Sequence, residues 1–143
     1  EPLLASAMIL ERHIDASIKQ VSDYGLSQFK ILASIERAAQ CKGLEDATQS
    51  AIAELWGVSE AAISRQAAIL EHDKLLIRTP DPTERRKIVL RLTAKGKLFV
   101  TNTVQHIDKE LAKIFKHISI NKRQQLGKDM YTVAETLTRY IHK

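Results

Sequence analysis

The stretch Thr48–Lys97 constrains this chain most, because two short helical patterns, a glycine turn and a cation-rich hairpin follow one another without a spare residue. Ile52 and Leu55 fall three apart with Ala53 alongside, the spacing of one helical face. Gly57 supplies a turn, since glycine enters left-handed backbone space without steric cost. Val58 then reads as a buried plug. Ser59 is a good N-cap, and Glu60 in the first turn suits the positive end of the helix dipole. The second helix carries Ala62, Ile63, Ala67 and Leu70 inward, which leaves Glu60, Ala61, Ser64, Arg65 and Ala68 around its outer face. Two such helices crossing steeply make a helix-turn-helix. The slim, polar, partly basic outer face suits a major groove.

The hairpin completes the unit. Leu75–Thr79 is apolar and β-branched, and Ile88–Leu92 alternates with period two, both strand signals. Pro80 and Pro82 keep the segment between them out of a strand interior, because proline removes ladder donors. Residues 78–97 hold seven cations (Arg78, Arg85, Arg86, Lys87, Arg91, Lys95, Lys97) against two anions, Asp81 and Glu84. A helix-turn-helix followed by a cationic hairpin is a winged helix, whose expected task is to grip duplex DNA.

Five motifs in order carry a family resemblance. They are Gln49-Ser50-x-x-Ala53-Glu54-Leu55, Gly57-Val58-Ser59, Ile63-Ser64-Arg65, Asp81-Pro82-x-x-Arg85-Arg86 and Leu92-Thr93-x-x-Gly96. Together they resemble the MarR (multiple-antibiotic-resistance repressor) family of bacterial winged-helix regulators. The motifs span about a third of the chain, and the ordered set rather than any one piece is specific. Two departures stand out. The family's usual Asp-x-Arg at the wing is Glu84-Arg85-Arg86 here, and its glycine before the strand leucine is Lys74. A non-glycine residue in a left-handed cap costs roughly 1 kcal/mol, so a different helix end is expected there.

At 143 residues the chain reads as one mainly α domain with a small β-hairpin. A winged helix-turn-helix at 26–97 is flanked by helices at 1–25 and 98–143. The first helix has a stripe of Leu3, Ala7, Leu10, Ile14, Ile18 and Val21, followed by a break at Ser22–Gly25. The second turns Phe29, Leu32, Ile35 and Ala39 inward, before a loop at Gln40–Ala47. Thr93 caps a long helix striped by Val100, Val104, Ile107, Leu111, Ile114 or Phe115, and Ile118, with Asn121 in the following break. The last helix is striped by Leu126, Met130, Val133, Leu137 and Ile141. One-sided apolar helices at opposite chain ends call for a partner surface. The resemblance implies that they intertwine into a homodimer on a pseudo-palindromic operator.

A net charge of +5 suits a polyanionic partner, and the excess concentrates on the wing and the C-terminal helices. One cysteine, Cys41, excludes an intrachain disulfide and fits a reducing cytoplasm. No apolar run reaches membrane-spanning length and no signal-like segment opens the chain. The chain begins at Glu1 without a methionine, and a preceding helical turn is expected.

The candidate DNA contacts are Gln49, Ser59, Ala61, Ala62, Ser64, Arg65, Gln66, Arg85, Arg86 and Lys87. Arg65 is expected at bases or phosphates; Arg86, by resemblance, reaches a minor groove, with Glu84 orienting its guanidinium. Gln49 is either a cap or a way of bringing helix-terminal amides to a phosphate. Trp56 is expected in the core. His13 and Phe29 are candidates for bordering the cleft where family members bind small aromatic effectors, and equally for ordinary interface residues. No paired histidine or cysteine spacing marks a metal site, and no cofactor is implied. Nor does any nucleophile–base pair or phosphate loop suggest an enzyme. The expected function is a DNA-binding transcription regulator, a repressor released by a small molecule. The alternatives are a winged-helix protein-interaction module and a redox- or metal-responsive regulator using Cys41.

Overall fold

The computed structural model describes residues 2–40 and 47–141, with backbone only at positions 138, 139 and 141. Cys41, Gly43 and His142 lie outside the described residues, as does the side chain of Ile141. The elements run α1 (Pro2–Val21), α2 (Leu26–Gln40), α3 (Gln49–Trp56), α4 (Glu60–His72), β1 (Leu76–Pro80), β2 (Ile88–Leu92), α5 (Ala94–Phe115) and α6 (Ile120–Ile141). Two compact units divide them, Glu1–Ile107 and Asp108–Lys143.

The first unit is a winged helix-turn-helix. Its core draws Ile31, Leu32 and Ile35 from α2, Ile52 and Ala53 from α3, Ile63, Ala67 and Leu70 from α4, Leu76 and Leu90 from the hairpin and Val100 from α5. The strands pair antiparallel from Leu76↔Leu92 to Pro80↔Ile88, so Pro80 sits at a strand end where its missing donor matters least. Ahead of α3, Thr48 bridges to Val89 and the Ala47 carbonyl accepts from Leu90 N at 2.7 Å. The wing is thereby tied to the start of the helix-turn-helix.

Both helices of the motif end the same way. At α3, Gly57 takes φ 61°, and Val58 N donates back to Ala53 O at 3.0 Å. At α4, Lys74 takes φ 62°, while Leu75 N donates to Leu70 O at 2.8 Å and Lys74 N to Glu71 O at 2.9 Å. That is a left-handed double-bonded cap. The expectation that α4 ends differently for want of glycine is therefore corrected: the chain keeps the cap and carries the strain of a lysine in it. The neighbouring contacts over-determine the turn. Tyr24 donates its hydroxyl to Asp73 Oδ2 at 2.9 Å, Lys95 Nζ donates to Asp73 O at 2.8 Å, and Thr93 Oγ1 donates to Lys74 O at 2.7 Å. Burial and the Asp73 carboxylate push the Tyr24 phenol up to about 12.

Thr93 also accepts from Gly96 N at 3.0 Å, as the expected cap of α5. Gly96 itself lies against β1, where an added Cβ would come within 2.0 Å of the Leu75 carbonyl oxygen. The Leu-Thr-x-x-Gly motif thus records a strand end, a cap and a close approach.

Several inward assignments need correction. Leu55 and Val58 are exposed. Ala39 is exposed, while Ala38 packs on the core. The break before α6 lies at residues 116–119, so Asn121 is already helical. On α1 only Ser17 and Ile18 are buried, and Leu3, Leu10 and Val21 of its stripe stay exposed. His106 on α5 holds this end of α1, with Nε2 at 2.9 Å from Ser17 Oγ. In the second unit α6 buries no described side chain, and Leu126, Met130, Val133 and Leu137 of its stripe are exposed.

Gly96→Ala should cost about 3 kcal/mol, since backbone rather than a movable side chain blocks the methyl. A guanidinium midpoint equal to wild type would rule out the close approach. Lys74→Gly should raise stability by about 1 kcal/mol, seen as a higher denaturation midpoint at unchanged m-value.

Candidate nucleic-acid interface

Helix α4 presents its outer face to solvent along Glu60, Ala61 and Arg65, with Ala62, Ser64, Gln66 and Ala68 half-buried beside it. Small residues at 61, 62 and 68 keep this face slim. Arg65 stands on it exposed, and its guanidinium has no hydrogen-bond or ion-pair partner among the described residues. Ser59 caps the helix, accepting from Ala62 N at 3.2 Å, so its hydroxyl is partly committed to the fold. Gln66 is differently placed. Its Oε1 is sealed from solvent and lacks a partner, facing into the helix-turn-helix rather than outward.

The tip between the strands is a built loop. Asp81 Oδ1 accepts from Thr83 Oγ1 at 2.6 Å, Thr83 N at 2.7 Å and Glu84 N at 2.9 Å. These donors, the Thr83 hydroxyl first, hold the Asp81 carboxyl below its usual value. Asp81 N to Lys87 O at 2.9 Å and Lys87 N to Glu84 O at 2.8 Å close the loop. Arg85 and Arg86 project exposed from it, without side-chain partners among the described residues. The expected Glu84–Arg86 pair is not present. Glu84 Oε1 instead meets Lys87 Nζ at 3.1 Å, because the turn folds 84 and 87 to the same side.

The local cation excess is therefore unevenly available. Arg78 is bound to α4: Glu71 accepts from Arg78 N through Oε1 at 2.9 Å and from Arg78 Nε through Oε2 at 2.8 Å. Those bonds, the backbone one first, hold the Glu71 carboxyl below its ordinary value. They also fix the wing strand against α4, so the helix face and the wing tip are positioned together. Lys95 is engaged with Asp73 O.

The remaining candidates lie elsewhere. Gln49 is only 5% exposed and has an unpartnered buried Oε1, while Thr48 caps α3 by accepting from Ala51 N at 3.1 Å. His13 is exposed on α1 and Phe29 packs half-buried on the core, and no shared cleft brings the two together among the described residues. No group of three or more metal-ligating side chains occurs among the described residues. Trp56 is 40% exposed rather than core, and its Nε1 donates to Ser34 Oγ at 3.1 Å. Nothing in the hydrophobic periodicity signals the Glu71–Arg78 or Tyr24–Asp73 pairs, since each joins separate elements.

The family model described as MarR family matches residues 22–87. No curated protein sequence matches. A solved structure of MarR is 21% identical, with a TM-score of 0.88 over 98% of this chain and 93% of that one. A mutant of MarR from E. coli complexed with operator DNA is 20% identical, with a TM-score of 0.71 over 92% of this chain and 89% of that one. CouR from Rhodococcus jostii RHA1 bound to p-coumaroyl-CoA is 16% identical, with a TM-score of 0.72 over 92% and 88%. At these identities the likeness establishes the fold.

Glu71→Gln should keep the backbone bond from Arg78 and lose its charge assistance, costing about 1 kcal/mol at neutral pH after screening at a half-exposed site. Because the folded-state carboxyl titrates low, that contribution is complete above the ordinary value of 4.5 and disappears as pH falls through the folded value. The stability gap between wild type and Glu71→Gln should accordingly close on acidification. A gap constant from neutral to acid pH would contradict the pairing.

Proposed function

We propose that this chain, whose residues 22–87 match the MarR family model, is a homodimeric, sequence-specific regulator of transcription that binds duplex DNA. The observation that carries the reading is the distribution of unpaired charge. Arg65 on the slim face of α4 and Arg85 and Arg86 on the closed wing tip are exposed cations without partners among the described residues, mounted on elements pinned to each other through Glu71 and Arg78. In this reading Ala61, Ser64 and Arg65 enter a major groove, and Arg86 reaches the adjoining minor groove. Arg85, Lys87 and the start of α3 at Gln49 serve phosphates. The side chain of Gln49 is too deeply buried to take part itself.

A homodimer is supported by apolar faces that the chain leaves uncovered. Leu3, Leu4, Met8 and Ile9 of α1 are each more than half exposed, and, to a lesser degree, Leu126, Met130, Val133 and Leu137 of α6 are open to solvent. Such surface is ordinarily covered by a partner. A twofold protein places two recognition helices about 34–36 Å apart, matching half-sites one DNA turn apart. Release by a small-molecule effector would follow if the ligand favoured another spacing of those helices, since only differential affinity shifts such an equilibrium.

Selection from random genomic duplex fragments at two salt concentrations tests the reading. Enrichment of an inverted repeat with half-sites about one turn apart supports it. Binding that is insensitive to salt would favour a protein-interaction module instead. On the selected operator, Arg65→Ala and Arg86→Ala should each lose about 1–3 kcal/mol of affinity at unchanged thermal stability. Full affinity in both variants would remove the assigned contact surface.

A further inference from the structure

Five residues of α4 are exposed: Glu60, Ala61, Arg65, Ile69 and His72. Two of them have local reasons for their place. Glu60 sits in the first turn, where a negative charge suits the helix dipole, and His72 at the other end is turned to Asp73 Oδ1 at 3.1 Å. The other three follow at four-residue steps and form one row, with Ser64 and Ala68 half-buried at its side. Arg65 in the middle has no partner among the described residues, so its forked donors are available. Ile69 is 48% exposed. A single aliphatic side chain in water needs no explanation, but this one stands a turn beyond the guanidinium, on the face assigned to a groove. A β-branched residue is also a poorer helix former than the alanines around it. Neither solvent nor helix propensity favours isoleucine here.

We propose that this row reads the bases of each operator half-site, Arg65 meeting one guanine while Ala61 and Ile69 meet the 5-methyl groups of thymines on either side of it. The assignment rests on the function proposed above and names the bases which that function leaves open. In the major groove guanine alone offers a forked donor two adjacent acceptors, N7 and O6, and in unmodified DNA thymine alone offers a methyl group. Arg65 is the only cation on the row, so one guanine per half-site is read in this way. No side chain of the row can accept a hydrogen bond, so the amino groups of cytosine and adenine find no partner on it. Steps of four residues are about 6 Å along a helix and base pairs rise about 3.4 Å, which puts each methyl about two base pairs from the guanine, on either strand. Isoleucine has more apolar surface to offer than alanine, so the contact at Ile69 is the larger of the two.

Selection from genomic duplexes supplies the operator for the test. A selection that returns no inverted repeat overturns the regulator and this readout together. An inverted repeat whose half-sites lack a G·C pair with A·T pairs about two positions to each side overturns the readout alone. On the selected operator, the full-length protein should bind about tenfold more weakly when that guanine is replaced by 7-deazaguanine, which lacks N7, and Arg65→Ala should not respond to the replacement. Uracil in place of each flanking thymine in turn removes one methyl group, and at one of them the loss should be about fourfold. Ile69→Ala should lose most of that preference for thymine, whereas Ile69→Val, which keeps a branched side chain, should retain it. Thermal unfolding of the variants checks that each is folded. A uracil penalty of the same size in Ile69→Ala overturns the role of Ile69, and a 7-deazaguanine penalty of the same size in Arg65→Ala overturns that of Arg65.

Discussion

The Leu75 carbonyl is the point on which the packing of α4, the hairpin and α5 is hung. Its residue closes the cap of α4 through its N–H, and its oxygen receives Thr93 N at 3.1 Å and faces the bare Cα of Gly96. Within three residues the chain ends a helix, begins a strand and accepts the first turn of another helix against its back. Close packing of backbone on backbone leaves no room for a Cβ at Gly96, and it also explains how a lysine is held in left-handed space at the preceding position. The hydrogen bonds of Asp73, Lys74 and Leu75 to Tyr24, Lys95 and Thr93 oppose a local strain of about 1–2 kcal/mol.

Charge follows the same logic of commitment. Net charge and local cation excess describe what a segment attracts at a distance, but pairing decides which groups are left to touch a partner. Arg78 and Lys95 contribute to the positive field and are nonetheless structural, one holding α4 to β1 and the other holding the end of α4 to α5. Arg65, Arg85 and Arg86, by contrast, have no side-chain partner among the described residues. The division matters for mutagenesis, because removing a cation of the first kind loosens the scaffold and removing one of the second kind does not.

Much of this was legible in the residues. Helical spacing located α1 to α6, the Gly57 turn and Ser59 cap placed the helix-turn-helix, and the two prolines bounded the hairpin. Local chemistry of that sort is written along the chain. What escaped depends on distance through space. Val58 and Trp56 look like core residues by hydropathy, yet both stay exposed, and Trp56 meets Ser34 and Lys30 of α2 at the surface. Glu84 was expected to meet Arg86 by spacing, but the Asp81-centred turn fixes which side each residue faces. Lys74 shows the opposite case: propensity argued for a different helix end, and tertiary contacts prevailed. Gln66 is a candidate DNA contact by its place in the motif, although 100° of helical rotation from Arg65 is enough to bury its oxygen.

The bridge of Thr48 to Val89 joins the Glu71–Arg78 link in making α3, α4 and the wing one mechanical piece. On the proposed reading this behaves like a caliper with a welded jaw. The distance from the bases met by α4 to the groove met by Arg86 is set inside a single copy, whereas the distance between half-sites is set by how two copies are joined. An operator for such a protein would tolerate insertion of a base pair at its centre on different terms from insertion within a half-site. The first is absorbed by moving whole modules, and the second can be met only by breaking the fold's own hydrogen bonds.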